Sequence, residues 1–245
     1  MEEQVATESE DFVMATATVT TTAPARVEGR KLAGAAGILH VVLFIGLGVM
    51  ILHGPSINDP AADVRAWFGN NETEVALFTW LMPGVFGLLF LTFASGLRSV
   101  LAPADAASGG MFSRLSFAGA AVQAAVGFVG LAFWGVLAQA DVLATVSDET
   151  MVTLNAFDTI IFFSIMAWPT AIFLLGASAV IIRSGVLPKW IGWLGTAIAV
   201  IGVVGSAWIL SGDSEGFLGA GLGTISFLGM HVFTLAASIT MLRQG

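Results

Sequence analysis

The chain contains no cysteine and no tyrosine. Without cysteine there can be no disulfide, no thiolate metal site, no thiol nucleophile and no cysteine-ligated iron–sulfur cluster. Charge is nearly as scarce: Asp, Glu, Lys and Arg supply 11% of 245 residues, where soluble domains carry roughly a quarter. Over residues 32–58, 75–97, 115–140, 159–182, 190–212 and 216–242 it is missing altogether. Each interval outlasts the ~20 residues that a helix needs to cross bilayer hydrocarbon. Signatures of chemistry are missing too. Gly219-Ala220-Gly221-Leu222-Gly223 leads to no lysine and so is no phosphate-binding loop. No His-Glu-x-x-His run and no Gly-x-Ser-x-Gly elbow occurs, and no basic patch offers itself to nucleic acid.

What is present is apolar: 56% hydrophobic residues and a mean hydropathy of +0.89. The apolar runs are continuous, unlike the alternating ten-residue strands of a barrel. The reading is an all-α, polytopic membrane bundle of six transmembrane helices, at about 33–54, 75–97, 115–138, 159–182, 190–210 and 217–242. The transmembrane domain is then 30–245. Residues 1–29, with five early acids and a Thr/Ala run, read as a disordered cytoplasmic tail and carry no cationic segment of a cleavable signal.

Cations orient the bundle. With a cytoplasmic N-terminus, Arg26, Arg30, Lys31, Arg98, Arg114, Arg183, Lys189 and Arg243 fall inside and only Arg65 outside, as expected for a plasma (inner) membrane protein with both termini cytoplasmic. Trp80, Trp134 and Trp208 near the outer charges, and Trp190 and Trp193 near the inner ones, suggest an aromatic belt. The first two hairpins repeat at a shift of roughly 85 residues, Ala33-Gly34-Ala35-Ala36 matching Ala118-Gly119-Ala120-Ala121 and Pro83 matching Pro169. Ala237-Ser238 before Arg243 closes a third hairpin as Ala94-Ser95 before Arg98 and Ala177-Ser178 before Arg183 close the first two. Chance similarity among Ala/Gly-rich helices is the competing account. Short helices over the outer face are expected after Asp59-Pro60 and after Ser147, as a cap or a gate.

Within the six intervals the notable polar groups are histidines and glutamines. His40, Gln123 and His231 fall about 13 to 18 Å above the cytoplasmic boundary at 1.5 Å per residue. Trp168, about 15 Å deep beside Pro169, joins them as a candidate ligand cluster. Three roles are open: an interhelical polar contact, a proton-sensitive switch, or axial ligation of a haem or metal by His40 and His231. No carboxylate or cation lies in the intervals, which argues against a proton-coupled transporter.

Arg30-Lys31 before an Ala/Gly-rich first helix, and Leu187-Pro188-Lys189-Trp190-Ile191-Gly192-Trp193-Leu194-Gly195 opening the fifth, complete the pattern. Over residues 30–243 the chain resembles small, uncharacterised bacterial six-helix inner-membrane proteins, a resemblance that implies no activity. The expectation is a non-enzymatic membrane protein, either an accessory subunit or a small-solute permeation bundle. Its surroundings are lipid and either a membrane-protein partner or further copies of itself. A haem or redox protein using His40 and His231 is the alternative.

Overall fold

The computed structural model describes residues 23–50 and 53–244. Its long helices are α1 (Ala23–Met50), α3 (Glu72–Ala104), α4 (Met111–Leu137), α6 (Asp148–Ser184), α7 (Lys189–Ser211) and α8 (Phe217–Gln244). Two short ones, α2 (Ala61–Asn70) and α5 (Ala140–Thr145), lie between them. No strand occurs among the described residues, and six helices are long and apolar enough to cross a membrane.

Several boundaries differ from the charge-based expectation. Helix α1 begins at Ala23 rather than 33, with Pro24 in the first turn where a missing amide costs nothing. Part of the stretch read as a disordered tail is therefore helical; residues 1–22 of it lie outside the described residues. Helix α6 begins at Asp148 rather than 159. The Ser147 hydroxyl accepts the Thr150 amide at 3.3 Å, and Asp148 and Glu149 occupy a first turn whose dipole favours anions. What was expected as a short surface helix after Ser147 is the first part of a membrane-length one. Acids limit where hydrocarbon begins, not where a helix does.

The six long helices close into a ring in chain order: α1 against α3, α3 against α4, α4 against α6, α6 against α7, α7 against α8, and α8 back against α1. The second helix of each hairpin holds a π-helical segment, at Gly84–Phe90, Ile161–Ile165 and Phe217–Leu222. Two of these adjoin prolines. Pro83 lies just before the first and Pro169 just after the second, where the missing N–H already breaks the hydrogen-bond ladder.

Helix contacts depend on small residues. A Cβ on Gly119 of α4 would lie 2.4 Å from the Phe173 amide nitrogen of α6, and one on Gly176 of α6 would lie 2.6 Å from the Ser116 nitrogen of α4. Backbone meets backbone here, as lipid-embedded packing requires. Phe90, Phe93, Phe173 and Phe233 fill the ring's centre and are wholly buried.

The exterior is apolar as well. Leu39, Val42, Ile45 and Val49 on α1, and Ile165, Trp168, Ile172 and Leu175 on α6, recur every turn and are exposed. Such stripes on all spans suit lipid and not water. Trp80, Trp190 and Trp193 are exposed, as a belt requires, but Trp134 and Trp208 are buried at 7% and 3% exposure and face inward. They are packing residues, contrary to the belt assignment.

Over one end, α2 and α5 form a cap. Val64, Phe68, Leu137, Leu143 and Met151 make a second apolar core there. Arg65 fastens it, donating to the carbonyls of Leu143 and Val146 and pairing with Asp148 at 2.7 Å. The opposite end carries Lys31, Arg98, Arg114, Arg183, Lys189 and Arg243.

Candidate functional site

Of the residues singled out from sequence, His40 and His231 meet. Their rings stack with centroids 5.6 Å apart and planes 9° from parallel. His40 Nδ1 lies 3.2 Å from the Val85 carbonyl, inside the π-helical segment of α3, and His231 Nδ1 lies 2.8 Å from the Phe227 carbonyl one turn earlier. With each Nδ1 donating, each Nε2 keeps a lone pair, and both Nε2 atoms are buried without a partner. Phe44, Phe86 and Phe90 enclose His40 at ring distances of 5.1 to 5.9 Å.

Gln123 does not join the pair. Its amide Nε2 contacts the Met230 sulfur at 2.8 Å beside a cavity of about 40 Å³, enough for one water. Trp168 is elsewhere altogether, 58% exposed on the outside of α6. Depth along the membrane normal was legible from residue spacing; the rotational setting of α6, which turns Trp168 outward, was not.

Axial ligation of a haem or metal would use the two Nε2 lone pairs. What the structure displays is a near-parallel histidine contact between α1 and α8, with Phe44, Phe86 and Phe90 packed around His40.

A larger cavity, about 420 Å³, opens beyond His231 toward the capped end. Six aromatic side chains line it, Phe44, Phe78, Trp134, Phe162, Phe163 and Phe227, together with the aliphatic Ile45, Val49 and Leu228. The volume falls within the roughly 300–1,000 Å³ of small-molecule pockets. Phe162 and Phe163 belong to the π-helical segment of α6, where the irregular ladder lets the Phe163 carbonyl accept the Trp208 indole N–H at 3.3 Å. Ser164 donates to the Ser206 carbonyl at 2.9 Å, so the same segment is tied to α7. π-helical turns often mark functional positions.

Asp158 also lines this cavity, and sequence reasoning missed it. Its charge bounds the 159–182 interval, yet it sits well inside α6, 8% exposed, with neither an ion pair nor a hydrogen bond among the described residues. The available signal was helical: Met151, Asn155 and Asp158 fall on one face, and all three are buried. Trp134 also lines the cavity, its indole N–H buried without an acceptor among the described residues.

Loops close the mouth beside Gly54 and Pro55. Asn155 donates to the Ser56 carbonyl at 3.1 Å, and the Ser56 hydroxyl and Asn58 amide donate to Glu215. Those two hydrogen bonds hold the Glu215 carboxyl below its ordinary range. At the opposite end Asp105 caps α4. Burial pushes its carboxyl up, but the Ser113 amide, donating at 2.8 Å, and the nearby Ser108 hydroxyl and Phe112 amide outweigh this and hold it below its ordinary value.

Fold and site together define a helical membrane protein with an intramembrane, aromatic-walled cavity, and with no assembled nucleophile and base among the described residues. The chain belongs to the family defined by a domain of unknown function, DUF4386, whose model matches residues 32–242. No curated protein and no solved structure matches the chain.

Proposed function

We propose that this is a non-enzymatic, multi-pass protein of the bacterial cytoplasmic membrane, with both termini inside, that binds a small and predominantly apolar solute and passes it through the capped half of the bundle. The observation that carries this reading is the cavity of about 420 Å³ with its aromatic wall. Below it lies the stacked histidine pair, and above it the cap held by Arg65. Distribution of the cations supports the orientation.

Gly48 offers the test, because it lines the cavity and a Cβ there meets nothing within 4 Å. Gly48→Phe therefore starts its side chain into open space beside the cavity. Calorimetric titration of neopentylbenzene into nanodisc-embedded protein is expected to show binding to the wild type that weakens at least tenfold in Gly48→Phe. The difference between the two cancels partition into lipid. Equal heats from both proteins would refute the reading. Reporter fusions at the two termini test the orientation, with opposite-side signals refuting it.

A further inference from the structure

The solute class follows from Asp158. Resting on the cavity reading above, we infer that the cavity takes an organic cation, an ammonium bearing apolar substituents, held by the Asp158 carboxylate and the surrounding aromatic faces.

Three features carry the inference. Asp158 is more than nine-tenths buried and, among the described residues, has no cation, amide or hydroxyl on it. A carboxylate within a membrane bundle is costly unless something pairs with it. The single ion pair among the described residues is Arg65 with Asp148, so no protein cation serves Asp158. Secondly, the same cavity is lined by five phenylalanines and Trp134, and aromatic rings attract a cation through the ring quadrupole, indole most strongly. Thirdly, an inorganic cation is poorly served. Calcium takes six to eight oxygen ligands and magnesium an octahedron, whereas Asp158 and Thr159 are the chief oxygen-bearing side chains lining this cavity. A large, weakly hydrated cation loses little on leaving water and needs no such shell. Size agrees, since a benzyl-substituted ammonium is well within the volume.

Benzyltrimethylammonium and neopentylbenzene differ in one atom, a charged nitrogen for a neutral carbon, and so separate charge from shape. Both are titrated into wild-type protein, Gly48→Phe and Asp158→Asn in nanodiscs of uncharged lipid. The wild type is expected to bind the cation at least tenfold more tightly than the neutral isostere. Asp158→Asn is expected to lose that preference while keeping the isostere, which also reports that the variant is folded. Should Asp158→Asn fail to fold, the wild-type preference alone decides. Binding of the isostere with no preference for the cation overturns this inference and leaves the cavity reading intact. A cation preference that persists in folded Asp158→Asn also overturns it. Failure of both probes to bind overturns both readings.

Discussion

Replacing Gly119 by alanine is expected to destabilise the bundle, although alanine is the better helix former. The added Cβ would stand 2.4 Å from the Phe173 nitrogen, 2.8 Å from the Pro169 carbonyl oxygen and 2.9 Å from the Phe173 Cα, whereas ordinary contact starts at 3.4 Å. All three neighbours are backbone, so no side chain can rotate away. Relief requires α4 and α6 to part by about 1 Å, loosening contacts along the seam, and overpacking of this kind costs about 1–3 kcal/mol. Gly46→Ala is the matched control, since its Cβ meets nothing within 4 Å and the substitution gains up to about 1 kcal/mol of helix propensity. Gly176→Ala acts on the same seam from the other helix, against Ser116 and Phe112 backbone atoms at 2.6 and 2.7 Å. Once the helices have separated, the second substitution meets less resistance, so the double variant should lose less than the sum of the singles. Equilibrium unfolding in mixed detergent micelles, followed by tryptophan fluorescence, measures all four variants. Gly119→Ala matching Gly46→Ala would refute the argument that backbone contact sets this seam.

Other expectations concern the cap, the basic end and the buried hydroxyls. Arg65→Ala removes an ion pair and two carbonyl contacts, a loss of about 1–2 kcal/mol, and hydrogen exchange should quicken over residues 61–70 while the long helices keep their protection. Asp105 has a folded value below 3.8, so its contribution is complete above that pH and disappears as pH falls through the lower folded value. Asp105→Ala should therefore lower the melting temperature at neutral pH and flatten its decline as the solution is made acid. Ser238 Oγ is buried without a partner, so Ser238→Ala should change stability by less than about 0.5 kcal/mol, whereas Ser164→Ala, which breaks the bond to the Ser206 carbonyl, should cost about 1 kcal/mol. Equal effects of these two alanines in the same micelle assay would contradict the hydrogen-bond assignments.

Composition by itself determined that this chain is helical, that it has six membrane-length spans and where each roughly lies, because a charge-free run longer than the hydrocarbon is thick leaves the backbone only one way to satisfy its hydrogen bonds. Spacing from the flanking cations also put His40 and His231 at one depth, where the structure stacks them. Tertiary structure alone decided which way each helix turns. In an apolar solvent the hydrophobic residues do not distinguish inside from outside, so no periodicity announces the buried face. That is why Trp134 and Trp208 are core residues rather than belt residues, why Trp168 points out, and why Asp158 is a cavity wall rather than a loop. A charge near the end of an apolar run has the same sequence context whether its helix stops there or continues; only the cap at Ser147, and the partners that α6 meets, settle where it goes.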